Sequence, residues 1–252
     1  MSGHSKWSTI KHKKAAKDAR RGKAFGKLIR AIEVAARSAN TADPEASPSL
    51  ALAVQKAKDA SVPKDNIERA AKRGAGEMDG ATTYESAQYE GYAPGGVAVL
   101  VDVLTDNRNR TASDVRSAFT QTGGSLAEPG SVSFLFTRRG QVIVDVDGVD
   151  EDELMLVGLD AGMEDLEADD DEFTAWCDAS DVAGLRKALE TAGFPVVRSG
   201  STMVPASTVP VSEASEARRV LRLMDLLDDN DDVQDVYANF DIGDDLLESL
   251  EA

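Results

Sequence analysis

The chain has 252 residues, 42% hydrophobic and 29% charged, enough for two or three small domains with real cores. No run of about 18 apolar residues occurs, which argues against a transmembrane helix, and the charged first thirty residues lack the apolar segment of a secretory signal. The single cysteine, Cys177, cannot form an intramolecular disulfide and suits a reducing compartment, so a soluble cytoplasmic protein is expected. The net charge of −17 would argue against a nucleic-acid partner if it were evenly spread.

It is not evenly spread. Residues 1–80 hold 17 Lys and Arg against 9 Asp and Glu, a balance of +8, whereas residues 81–252 hold 11 against 36, a balance of −25. Residues 1–30 carry ten basic side chains with Asp18 as their one acid. A basic segment on a self-solubilising acidic body is the pattern of a nucleic-acid-binding arm.

Taken in chain order, residues 1–14 read as a polar, basic arm. Phe25, Leu28, Ile29, Ile32, Ala35 and Ala36 then recur at helical spacing, which leaves Lys23, Lys27, Arg30 and Arg37 to solvent. Ser47 and Pro48 open a second helix with Leu50, Ala53, Val54, Ala57 and Ala60 inward, and a third runs from Pro63 to Gly74. Residues 74–83 read as a linker. Val97–Leu104 is expected as a buried strand, Thr111–Thr122 as a helix capped by Thr111 and closed by Gly123-Gly124, and Val132–Phe136 as a strand.

Strands at Val142–Val146, Asp165–Ala168, Phe173–Cys177 and Val196–Met203 alternate with helices Asp150–Ala161 and Asp181–Ala192, the second capped by Ser180 and ended by Gly193. Together they predict a complete βαββαβ unit. An amphipathic helix with Val220, Leu223, Met224 and Leu227 inward and a strand at Val233–Phe240 remain, and these should complete the sheet begun at Val97. The expected fold class is therefore multidomain α+β. A three-helix domain at 1–80 precedes two split-βαβ, ferredoxin-like domains, with 139–203 inserted between 81–138 and 204–252.

The candidate nucleic-acid-binding residues are Lys6, Lys11, Lys13, Lys14, Lys17, Arg20, Arg21, Lys23, Lys27 and Arg30, whose charges and forks suit phosphates. Trp7, near His12, could stack on an exposed base. The competing reading is a solvated charged helix, or one that touches an acidic partner. Thr105-Asp106-Asn107-Arg108-Asn109-Arg110-Thr111 joins a strand end to a helix start, where Arg108 and Arg110 could hold an anion. Equally, they could pair with nearby carboxylates while Asn and Asp cap the helix. Gly91–Gly96 lacks the spacing of a phosphate loop, and Asp169–Glu172 lacks the glycine and distal Glu of a calcium loop, so both are expected as turns. His4 and His12 are the only histidines. With no nucleophile elbow, metal cluster or nucleotide fingerprint, neither catalysis nor a cofactor is expected.

The stretches GHSKWSTIKHKKAAKDARRGKAFGKLIRAI, PKDNIERAAKRG, YEGYAPGGVAVLV, TDNRNRT and GSVSFLF resemble the YebC family of regulatory proteins over nearly the whole chain. Ser61-Val62, Ala51 and Ala127 depart from the residues common there. The resemblance implies a helical N-terminal domain, two α+β domains and a DNA-binding transcriptional regulator. As the runner-up it implies a translation factor that binds ribosomal RNA on the ribosome where proline-rich stretches stall it. A third reading is a protein–protein adaptor whose acidic domains bind a basic partner.

Overall fold

A computed structural model describes residues 18–80, 82–169 and 171–251. The helices at the start follow their local signals. α1 spans Asp18–Ala39, α2 Pro48–Asp59 and α3 Lys64–Gly74. Ser47 caps α2 as its sequence predicts, its hydroxyl accepting from Leu50 N at 3.4 Å, with Pro48 at the first position where no N–H is required.

The chain divides into two compact units. One takes residues up to Ala31 with Gly80–Thr137 and the chain from Val204 onward; the other takes Ile32–Asp79 and Arg138–Met203.

In the first unit, β1 (Glu85–Tyr92), β2 (Ala98–Thr105), β3 (Ser125–Leu126) and β9 (Val233–Ala238) form a sheet of order β3-β1-β2-β9. β1 is antiparallel to both β2 and β3, and β2 is antiparallel to β9. β2 and β3 therefore run parallel on either side of β1, which is the split-βαβ arrangement closed by α4 (Arg108–Thr122). Val99, Val101 and Val103 share one core with Phe119 of α4 and with Val220, Leu223, Met224 and Leu227 of α7 (Ala214–Asp228). The helix and strand left over by the inserted segment do complete the sheet begun near Val97.

In the second unit, β4 (Phe136–Asp145), β5 (Met163–Ala168), β6 (Glu172–Cys177) and β7 (Val196–Pro205) take the order β5-β6-β4-β7. β6 is antiparallel to β4 and to β5, a second split βαβ, with α5 (Glu151–Asp160) and α6 (Val182–Ala192) as its helices. Val142, Val144, Ala175 and Cys177 meet Leu154, Leu185 and Leu189 in its core, and Leu52 of α2 packs against it. Asp150 caps α5 by accepting from Glu153 N at 3.0 Å, and Gly193 ends α6 in the left-handed region at φ 94°.

Several local expectations are corrected. Val132–Phe136 is not a strand: Ser133–Leu135 form a 3-10 turn and β4 starts at Phe136. The cause is the buried Glu90 carboxylate, which accepts from Gly130 N (2.7 Å), Val132 N (2.6 Å) and Ser133 N (2.9 Å) and so curls the segment. α4 begins three residues early because Asn107 rather than Thr111 is its cap. Ser180 caps nothing; its hydroxyl donates to Asp178 at 2.7 Å. Short parallel strands β8 (Val209–Pro210) and β10 (Phe240–Asp241) and a terminal helix α8 (Asp244–Glu251) carried no strong local signal.

Candidate nucleic-acid interface

Lys6, Trp7, Lys11, His12, Lys13, Lys14 and Lys17 lie outside the described residues. Arg20 and Arg21 fall on α1, and their side chains lie outside the description.

The remaining cations of α1 do not all stay in solvent. Lys23 donates to Asp229 O at 3.2 Å and pairs with the Asp229 carboxylate at 3.6 Å, both side chains about half exposed. Lys27, its side chain only 12% exposed, pairs with Asp228 at 3.4 Å and donates to the Asp228 carbonyl. Arg30 donates to Asp231 O and pairs with Asp232 at 3.3 Å, while its guanidinium lies 5.6 Å from the centre of the Tyr84 ring.

These contacts have a common physical cause. Residues 228 and 229 end α7, whose last carbonyls lack helical partners and carry the negative end of its dipole. The run Asp228-Asp229-Asn230-Asp231-Asp232 adds carboxylates to those carbonyls. One face of α1 therefore finds its acidic partner within its own chain.

Asp232 is the centre of this network. It accepts from Arg110 Nη2 and the Thr111 hydroxyl, each at 2.7 Å, and from the Thr105 hydroxyl at 3.2 Å. Burial by itself would raise its pKa, but the hydrogen bonds from Arg110, Thr111 and Thr105 and the charge of Arg110 hold it below the ordinary Asp value. Arg110 also pairs with Asp106 at 2.8 Å, and hydrogen bonds to Asp232 and then Asp106 push its pKa above normal. Thr105 and Thr111 are fully buried and hydrogen-bond one another at 2.7 Å.

The TDNRNRT segment is thus a strand-to-helix joint tied to the acidic turn. Asn107 caps α4 and Arg110 is held by two carboxylates. Arg108 behaves differently: its side chain is 66% exposed, and its one ion pair among the described residues, to Glu85, is 4.0 Å long. Sequence reading singled out Arg30 and Arg110 as separate candidates; the fold brings both to Asp232. The missed partner was the acidic run at 228–232, which reads locally as a solvated helix end.

Other polar groups are structural. Cys177 is buried, and burial first, then Asp181, Glu164 and Asp178, push its thiol up to about 11, so it is not a reactive thiolate. Ala93 N donates to Val97 O at 2.8 Å across the Pro94–Gly96 turn, and Asp169 N donates to Glu172 O at 2.9 Å across the acidic hairpin. Among the described residues no cluster of three or more His, Cys, Asp or Glu could hold a metal ion, and no helix is long and apolar enough to cross a membrane.

A helical N-terminal segment, followed by an α+β sheet unit that is interrupted in sequence by a second α+β unit, defines a particular class of multidomain protein. Residues 5–77 match the family model described as the TACO1/YebC protein N-terminal domain, and residues 84–240 match the TACO1/YebC second and third domain. The chain belongs to the TACO1/YebC family. It is 56% identical over 252 residues to a probable transcriptional regulatory protein of Beutenbergia cavernae, covering 100% of this chain and 99% of that one. A protein of the same description from Rubrobacter xylanophilus is 56% identical over 247 residues, covering 98% of each chain. A crystal structure of a conserved hypothetical protein from Aquifex aeolicus superposes with a TM-score of 0.81 at 44% identity, covering 90% of this chain and 93% of that chain. The names of the relatives support a regulatory role.

Proposed function

We propose that this protein is a non-enzymatic, DNA-binding regulator of transcription that works in the cytoplasm and grips its target through its basic N-terminal segment. The observation that carries the reading is the charge split, with ten cations against one acid in residues 1–30 of a chain whose net charge is −17. Lys6, Lys11, Lys13, Lys14, Lys17, Arg20, Arg21 and the half-exposed Lys23 are the phosphate contacts, with Trp7 and His12 beside them and Arg108 as an exposed contact on the body. Lys27, Arg30 and Arg110 hold the acidic turn and contribute indirectly.

One observation favours a second reading, an RNA-binding factor on the ribosome. The exposed positions of α1 include Gly22, Lys23, Ala24 and Gly26, none of which offers the Asn, Gln or Arg fork that reads base edges. Recognition then rests on phosphates and shape, which structured RNA also presents.

Affinity for a DNA duplex and for a structured RNA, measured against salt, tests the reading. If about six cations meet duplex phosphates, log K falls against log salt with a slope near roughly −5. Lys13→Glu with Lys14→Glu should weaken binding sharply and flatten that slope. A flat salt response together with unchanged affinity in this variant overturns nucleic-acid binding through the arm and leaves the acidic-adaptor reading. Crosslinking and sequencing of bound DNA and RNA separates the other two: predominant recovery of ribosomal RNA replaces the first with the second.

A further inference from the structure

The acidic half of the chain carries an unneutralised basic face of its own. Arg116 on α4 and Arg218, Arg219 and Arg222 on α7 are all exposed, and none forms an ion pair among the described residues. Two facts bring them together. α4 and α7 pack against one another, and Arg219 reaches across so that a Cβ placed on Gly123, at the end of α4, would lie 3.4 Å from its Nη1. Arg116 lies seven residues, close to two turns, before Gly123 and so shares its flank of α4. Arg218 and Arg222 are one turn apart and point away from Ala217, Val220, Leu223, Met224 and Leu227, which are fully buried.

Carboxylates in the neighbourhood do not cancel this charge. Asp114 falls on the opposite flank of α4 by helical spacing, and Glu216 approaches Gly95. Like charges one turn apart on a helix repel weakly, and neither Arg218 nor Arg222 forms an ion pair among the described residues that would offset this. In a protein with 45 acidic residues, four exposed arginines on one pair of helices, none in an ion pair among the described residues, offer an external anion a charge that the chain itself does not take up.

The chemistry of the seam selects among anions. Its other exposed side chains include Ser113, Ser117, Thr120, Gln121 and Ser215, and none of the exposed large hydrophobic side chains lies on either helix. A protein interface needs an apolar or aromatic centre, which is missing. Arginine forks interspersed with hydroxyls and an amide match a phosphate backbone. We propose that Arg116, Arg218, Arg219 and Arg222 form a second phosphate-binding face, separate from the N-terminal arm, which contacts the backbone of the same nucleic acid. The proposal rests on the nucleic-acid reading above and adds to it a role for the acidic body.

The test uses the full-length chain with Arg218→Glu and Arg222→Glu together, with the Gln pair as a milder variant and the Lys pair as a charge-preserving control. Affinity for a DNA duplex and for an RNA hairpin is read between about 50 and 200 mM salt, alongside thermal unfolding. Loss of two phosphate contacts reduces the duplex salt slope by about 1.8 and weakens binding roughly 30-fold at about 150 mM salt. The Gln pair should lose most of this, the Lys pair little of it, and the unfolding transition should not fall in either. Lys13→Glu with Lys14→Glu runs in parallel. If that arm variant weakens binding and neither Arg218/Arg222 variant does, the second face is refuted while the arm reading stands, and an acidic protein becomes the candidate for the seam. If none of the variants alters affinity for either nucleic acid, the underlying reading falls and this one with it.

Discussion

Replacing Asp232 with alanine tests whether the turn after α7 holds the first unit together. The carboxylate is 8% exposed and accepts four hydrogen bonds, from Arg110, Thr111, Thr105 and Arg30. Its removal leaves Arg110 with Asp106 and solvent, and Arg30 with the Asp231 carbonyl, so neither guanidinium is stranded. The threonines re-pair. Thr105 and Thr111 are fully buried, and without Asp232 Thr111 donates to Asn107 O at 3.1 Å and Thr105 to the Thr111 hydroxyl oxygen at 2.7 Å, so each proton keeps an acceptor but loses a charged one. A hydrogen bond to a charged group contributes about 1.5–3 kcal/mol. Since the lost bonds share one carboxylate and are partly replaced, a loss of about 2–4 kcal/mol is expected. Urea unfolding measures it, and thermal unfolding should show a decrease on the order of 5–15 °C for a chain of this size. Asp232→Asn, which keeps the shape, should lose less. Arg110→Ala should be milder than Asp232→Ala because water already reaches about half of that side chain. A loss below about 1 kcal/mol in Asp232→Ala would refute the turn as a structural centre and return Arg110 to the list of free anion contacts.

Three further outcomes follow from the same geometry. Gly74→Ala should be strongly destabilising by thermal unfolding, since a Cβ there would lie 2.3 Å from Glu33 O and 2.8 Å from Ala36 Cβ; wild-type stability would mean that α1 and α3 do not approach as described. Asp59→Ala should cost about 2–4 kcal/mol in denaturant unfolding, because Arg186, mostly covered and paired with Asp59 at 2.6 Å, is left with Glu190 and Ser199; a loss within about 0.5 kcal/mol would contradict it. Stability should fall in acid partly through Glu90. Its burial opposes ionisation, yet three backbone N–H groups hold its pKa below the normal Glu value. A depressed folded pKa contributes stability that is fully present above the unfolded value, about 4.3, and lost as pH falls through the lower folded value. Glu90→Gln should flatten that part of the stability–pH curve; an unchanged curve would remove Glu90 from acid unfolding.

Much of this architecture is legible in the sequence because its signals are local. Ser47-Pro48 and Asp150 announce helix starts and Gly193 a helix end, through backbone groups within four residues. The inward stripe Val220, Leu223, Met224 and Leu227 follows from the helical period, and all four are fully buried. The nesting of one α+β segment in another also follows, because the helix and strand left over after a complete βαββαβ pattern require a sheet to join. The basic character of residues 1–30 is likewise a property of composition.

What the tertiary structure alone decides depends on partners distant in the chain. Thr111 has the residue type of a helix cap, yet Asp232, 121 residues away, takes its hydroxyl into the core and Asn107 caps instead. Val132–Phe136 has strand composition, yet Glu90, some 40 residues back, draws three of its neighbouring N–H groups into a turn. Lys27 and Arg30 look like solvent-facing cations on α1 until the acidic end of α7, about 200 residues on, takes up their charge. The physical reason is the same in each case. A charged or polar side chain takes its role from which complementary group is nearest in space, and Coulomb attraction and hydrogen-bond geometry are indifferent to sequence separation.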